Sequence, residues 1–132
     1  MKIHHIGYLV KEIDKAIEEF KKLGFIITIE KCFDGNYIAD FAFLQKDGYC
    51  VELICPVNDK SPIYGLMKKH KNSPYHICYE VDNIEQTIND LIKQGYLLFK
   101  EIFSVSVLNN KRFSFLMNSH IGMIELTEKK DI

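Results

Sequence analysis

Two histidines and two glutamates stand at matching positions in the two halves of the 132-residue chain. They are His5, Glu52, His76 and Glu125. Imidazole and carboxylate side chains together suit borderline divalent ions such as Ni²⁺, Co²⁺, Zn²⁺ or Mn²⁺. A six-coordinate ion held by four such ligands would keep up to two positions open for water or substrate. These residue types therefore indicate a divalent metal site, provided that the fold brings them together.

An internal repeat sets the positions of these four residues. The segment HIGYLV at 5–10 resembles HICYEV at 76–81, and VEL at 51–53 resembles IEL at 124–126. Self-similarity over such a distance is the sign of a duplicated structural unit. Each histidine therefore opens a module, and each glutamate lies near the end of one.

Both modules are predicted to fold as βαβββ. A strand rich in Ile, Tyr and Val is followed by apolar residues at helical spacing, and Gly24 and Gly95 are expected to end the two helices. Three strands follow in each module, separated by turn signals such as Asp47-Gly48. The predicted organisation is a single α+β domain over residues 1–132, with module one at about 1–56, a linker at 57–73 and module two at about 74–129.

Alternation of side chains along the strands places all four candidate ligands on one kind of face. His5 and His76 have the opposite parity to the bulky apolar residues of their strands, which should pack under the helices. Glu52 and Glu125 likewise point away from the helix side of the last strand in each module. The residues expected to face the helices are Ile6, Tyr8, Val10, Ile77, Tyr79 and Val81.

Composition argues against several classes of protein. The net charge is -1 and the pI about 6.5, so no overall basic field would attract nucleic acid or a membrane surface. No apolar run approaches the length of a membrane span, and the N-terminus lacks signal-peptide features, so a cytoplasmic location is expected. Reduced, buried thiols are expected because the cysteines lie among apolar neighbours without C-x-x-C spacing. These cysteines are Cys32, Cys50, Cys55 and Cys78.

Four segments resemble the vicinal oxygen chelate superfamily, which includes glyoxalase I and methylmalonyl-CoA epimerase. They are HHIGYLV near the start, VELICPVNDKSPIYGLMKK in the middle, PYHICYEVDNI at 74–84 and GMIELTE near the end. The resemblance implies a U-shaped, eight-stranded mixed sheet around a divalent metal ion. It makes His5, Glu52, His76 and Glu125 the ligands, in the pattern of bacterial nickel- or cobalt-dependent glyoxalase I, which also occurs among epimerase-like members.

The same resemblance implies proton transfer beside a substrate carbonyl, with Glu125 as the preferred base and Glu52 as its partner. The main expectation is a glyoxalase-like lyase of the lactoylglutathione lyase type, acting on a 2-oxoaldehyde–thiol adduct. The alternative is a methylmalonyl-CoA epimerase-like isomerase acting on an acyl-CoA. A third hypothesis is a small-molecule binding or sequestering protein of the same fold. Many relatives are dimers, so a homodimer is expected.

Two positions distinguish between these activities. Leu9 stands where glutathione-using glyoxalases carry an arginine, and Phe41 matches the position of a glutamate in one bacterial type of epimerase. The segments SPIYGLMKK and HICYEVDNI nevertheless look more like the epimerase branch than like glyoxalase. The ligand set and the flanking sequence therefore favour different members of the superfamily.

Overall fold

The computed structural model describes residues 1–130, which contain eight β-strands and three α-helices. His5–Tyr75 forms one compact unit, and Met1–His4 together with residues 76–130 forms the other. The elements are β1 (Lys2–Leu9), α1 (Ile13–Lys22), β2 (Ile26–Asp34), β3 (Ala39–Lys46), β4 (Tyr49–Pro56), α2 (Tyr64–His70), β5 (Ser73–Val81), α3 (Ile84–Lys93), β6 (Leu97–Val105), β7 (Lys111–Asn118) and β8 (Gly122–Glu128).

Each module pairs its strands in the same way. In module one the order is β2-β3-β4-β1, where β1 and β4 are parallel and the other neighbours are antiparallel. In module two the order is β6-β7-β8-β5, and β5 is again parallel to β8. The predicted α+β fold of two βαβββ modules with mixed strand pairing is confirmed.

One face of each set of strands is covered by a helix. In module one, Ile13 and Ile17 of α1 pack with Leu44 and Leu53 of the strands. In module two, Ile84, Ile88 and Leu91 of α3 pack with Leu116 and Leu126. Burying each of these side chains contributes roughly 1.5–3 kcal/mol. Apolar residues therefore fill the helix side, and the polar residues of the same strands are left to the other face.

The expected packing of the opening strands under the helices holds for their later residues but not for Ile77. Tyr8 and Val10, and likewise Tyr79 and Val81, belong to the helix-packed clusters. Ile77 was also expected to pack under a helix, but it is 37% exposed. Ile77 is exposed because the apolar cluster around α3 covers only the later residues of β5.

Glycines end α1 and α3 as predicted. Gly24 and Gly95 have φ of +99° and +100°, which a residue with a Cβ adopts only under strain. After each glycine the next N–H bonds back into the helix, from Phe25 to Phe20 and from Tyr96 to Leu91. This is the bonding of a Schellman C-cap, and it returns the chain to the sheet at the same point in both modules.

A charged cluster attaches the start of α3 to the strands of module two. Arg112 on β7 donates to Glu85 at 2.6 Å and to Glu128 on β8 at 2.9 Å, and Glu128 accepts from the Ile84 backbone N–H at 2.9 Å. The bond from Ile84, followed by those from Arg112, lowers the pKa of Glu128 below its usual value of 4.5. Bonding to Arg112 likewise lowers the pKa of Glu85.

We expect Glu128→Ala to lower the free energy of unfolding by about 1–2 kcal/mol at neutral pH, because it removes a helix-terminal acceptor and a partner of Arg112. A carboxyl whose pKa is lowered by folding stabilises the protein above its unfolded pKa and loses that effect as the pH falls through its folded pKa. The difference from wild type should therefore shrink as the pH falls below about 4. Urea denaturation at neutral and acidic pH measures it.

Glu101→Ala is the matched control, because Glu101 is an exposed glutamate on a strand of the same module. It should change stability by less than about 0.5 kcal/mol at either pH. A Glu128→Ala defect of the same size at both pH values would contradict the assigned electrostatic role.

Candidate metal centre

Module one brings His5 and Glu52 together on neighbouring parallel strands. Gly7 of β1 lies opposite Glu52 of β4, and His5 precedes Gly7 by two residues on the same face. The His5 Nε2 and Glu52 Oε1 atoms are 3.5 Å apart. His5 is 1% exposed, and the Glu52 side chain is 15% exposed. The pair is thus shielded from water on the side of the strands that α1 does not cover.

Module two repeats this arrangement with His76 and Glu125. Cys78 of β5 lies opposite Glu125 of β8, so His76 again stands two residues before the position facing the glutamate. The His76 Nε2 and Glu125 Oε1 atoms are 3.1 Å apart, within hydrogen-bonding distance. His76 is 4% exposed and Glu125 is 5% exposed. Each predicted histidine is therefore beside its predicted glutamate.

The two pairs have the chemistry of a divalent cation site. A buried carboxylate is costly unless a hydrogen bond or a positive charge compensates it. In each pair the imidazole Nε2 and a carboxylate oxygen point into the same small volume, where they could contact one cation. The donors are nitrogen and oxygen atoms, which suit Ni²⁺, Co²⁺, Zn²⁺ or Mn²⁺. The residues therefore fit the type of ion that the sequence indicated.

A phenylalanine accompanies each histidine, which the sequence reasoning did not identify. The His5 and Phe43 rings are 5.2 Å apart at 89°, and the His76 and Phe115 rings are 5.1 Å apart at 89°. A signal was available in the repeat, because FAFL at 41–44 matches FSFL at 113–116. The match alone does not identify the ring partners of these phenylalanines.

Two positions that distinguish members of the superfamily carry no charge here. Leu9 is 0% exposed and Phe41 is 2% exposed. Leu9 cannot bind a substrate carboxylate, and Phe41 cannot accept a proton.

The cysteines are poor candidates for catalysis. All four are free thiols, as expected, but only Cys78 is fully buried, whereas the other three are half-buried. Burial, with a further contribution from the charge of Glu52, raises the pKa of the Cys50 thiol to about 11. Burial also raises the pKa of Cys32 and of Cys55. The thiolate is the nucleophilic form, so these three are unreactive near neutral pH.

Among the described residues no helix is both long enough and apolar enough to cross a membrane.

A protein-family model matches the part of the chain that contains most of this fold and the residues His5, Glu52 and His76. Residues 4–115 match the family model described as the Glyoxalase/Bleomycin resistance protein/Dioxygenase superfamily. The match covers most of the chain, and the protein belongs to this family. The resemblance seen in the sequence is thereby confirmed.

Several relatives bear the name methylmalonyl-CoA epimerase. The mitochondrial enzyme of Bos taurus is 26% identical over 130 residues, covering 96% of this chain and 74% of that protein. The Mycobacterium tuberculosis epimerase structure has a TM-score of 0.85 at 23% identity, covering 98% of this chain and 89% of that one. A Streptomyces coelicolor epimerase variant, solved with 2-nitronate-propionyl-CoA, has a TM-score of 0.84 at 18% identity, covering 100% and 96%. The Bos taurus relative favours the alternative functional expectation over the lyase, and the two structures show that the fold is shared.

Proposed function

We propose that this protein is a metal-dependent isomerase of the methylmalonyl-CoA epimerase type. Its substrate would be an acyl-CoA with an acidic C–H next to the thioester carbonyl. The observation that carries the proposal is the pair of buried His–Glu arrangements, in a family whose curated relatives bear the epimerase name. Buried Leu9 adds support, since it replaces the arginine expected of an enzyme that uses glutathione.

In this proposal His5, Glu52, His76 and Glu125 hold one divalent ion, with Ni²⁺, Co²⁺ and Zn²⁺ as the favoured metals. Support comes from the equivalent positions of the two pairs in the repeat and from the burial of both histidines. The two modules would then work as a single domain. When bound, the ion would stabilise the negative charge that develops on a carbonyl oxygen as the neighbouring carbon loses its proton.

The glutamates would carry the proton. Epimerisation removes a proton from one face of a carbon and returns one to the other face, so a carboxylate on each side is useful. Glu125 is the proposed base, and Glu52 is its partner. Glu125 is the more enclosed of the two, and this burial would keep competing water away from it.

We propose a cytoplasmic location, which the free state of the cysteines supports. The homodimer expected from the sequence is also kept as a proposal. Light scattering of the purified protein tests it.

The first prediction concerns the substrate. Protein loaded with Co²⁺ should exchange the C2 proton of methylmalonyl-CoA for deuterium in D₂O, as followed by NMR or mass spectrometry. The hemithioacetal of a 2-oxoaldehyde and glutathione should not be converted. Conversion of the hemithioacetal without C2 exchange would instead support the lyase.

A second prediction separates metal binding from proton transfer. Glu125→Gln keeps an oxygen ligand but removes the proton acceptor, so kcat should fall by roughly 10²–10⁴ while most metal is retained. His5→Ala and His76→Ala should lose metal and activity together, because each removes a ligand. Excess Co²⁺ should partly restore the histidine variants and should leave Glu125→Gln inactive. Recovery of Glu125→Gln to near wild-type turnover would make Glu125 a ligand only.

A third prediction tests whether the two pairs share one ion. Wild-type protein should bind about one metal ion per chain, as measured by elemental analysis, since all four ligands contribute to one site. Either His5→Ala or His76→Ala should then abolish tight binding. If each pair held its own ion, wild type would bind two, and each variant would retain one.

A further inference from the structure

We propose that Phe43 and Phe115 are positioning residues for the two histidines. Each phenylalanine would hold its imidazole at the angle that directs Nε2 toward the paired glutamate. This inference rests on the proposed metal centre and adds to it two residues that touch neither metal nor substrate in the proposal.

The contact is the same in both modules. Each phenylalanine ring is perpendicular to its histidine ring, at centroid distances of 5.2 Å for His5–Phe43 and 5.1 Å for His76–Phe115. Edge-to-face packing is a favoured arrangement of aromatic rings. The two modules have diverged at most positions of their sequences, so the recurrence of this geometry argues for a common requirement.

Strand register explains why these phenylalanines can act on the pairs. Phe43 of β3 lies opposite Glu52 of β4, and Phe115 of β7 lies opposite Glu125 of β8. Directly opposed residues project from the same face of a sheet. Each phenylalanine therefore lies beside the glutamate of a pair while its ring contacts the histidine.

A histidine needs such a restraint because the backbone does not fix its ring. Rotation about the bond that joins Cβ to the ring has a broad, weakly selective profile. A turned ring would direct Nε2 away from the carboxylate and from a shared cation. Phe43 and Phe115 are each 3% exposed, so their own rings are held by the surrounding packing. Each imidazole therefore packs against a phenylalanine ring whose own orientation is restricted.

Neighbouring phenylalanines provide matched controls. Phe113 lies on β7 two residues before Phe115, is also 3% exposed, and stacks on Phe103 at 5.8 Å. Phe41 lies two residues before Phe43, is 2% exposed, and contacts the Phe43 ring at 6.0 Å. Substitution of Phe113 removes the same volume from the same strand and keeps the Phe115 ring itself, although Phe103 stacks on both phenylalanines, at 5.8 and 6.3 Å.

The test compares Phe115→Leu with Phe113→Leu in Co²⁺ titrations of metal-free protein, using the visible absorption of bound Co²⁺. Phe115→Leu should weaken Co²⁺ binding by roughly 2- to 12-fold, the range for loss of one aromatic pair, and should alter the absorption band. Phe113→Leu should lose similar stability but bind Co²⁺ within about twofold of wild type. Phe43→Leu should behave like Phe115→Leu.

A second measurement needs no metal. In metal-free wild type the ring protons of His76 should carry a ring-current shift from Phe115, and Phe115→Leu should remove it in NMR spectra. Phe115→Met, whose flexible side chain can fill an irregular core gap, replaces Phe115→Leu if the latter does not fold.

Unchanged His76 shifts, or equal Co²⁺ affinity in Phe115→Leu and wild type, would overturn the positioning role. Equal weakening of Co²⁺ binding by Phe113→Leu would overturn it as well. Failure of wild type to bind any Co²⁺ would instead refute the proposed metal centre.

Discussion

The cost of burying a carboxylate beside an imidazole governs the arrangement of both modules. A buried carboxylate must find a hydrogen bond or a positive charge, and here the nearest partner is the imidazole on the adjacent parallel strand. The first and last strands of each module are neighbours in the sheet, because the chain passes through the helix and two further strands before the last strand pairs with the first. The helix covers one face of these strands with apolar side chains, so the histidine and the glutamate must lie on the other face.

In the proposed function, the residues that would hold the metal do not decide which substrate is used. His5, Glu52, His76 and Glu125 would serve a lyase and an isomerase equally well, because both reactions remove a proton beside a carbonyl. The difference must come from groups that anchor the rest of the substrate. Leu9 offers no charge for a glutathione carboxylate. The resemblance implies an arginine at this position in glutathione-using enzymes, so the uncharged Leu9 counts against a glutathione adduct as the substrate.

The pattern-based predictions succeeded where one local rule decides the outcome. Strand alternation predicted the faces of His5 and Glu125, and the glycines after α1 and α3 predicted the helix ends. Ile77 shows the limit, since its exposure depends on how far α3 extends over β5, which no period in the sequence encodes.

Contacts between side chains from distant segments were also beyond the sequence. The ring contact of Phe115 with His76 depends on strand register and on ring angle. The sequence repeat carries information about the register but none about the ring angle. The cluster of Arg112, Glu85 and Glu128 likewise joins three elements whose order gives no sign of it.

Duplication produces two similar pairs, whereas epimerisation by the proposed mechanism needs two carboxylates with different tasks. The difference lies in their surroundings. Glu125 is 5% exposed and bonds to His76 at 3.1 Å, whereas the Glu52 side chain is 15% exposed and lies 3.5 Å from His5. In the proposed mechanism, the more exposed pair would be better suited to exchange a proton with solvent, and the more buried pair to hold one during the reaction. Small changes in packing around a repeated motif would thus be enough to divide the two roles.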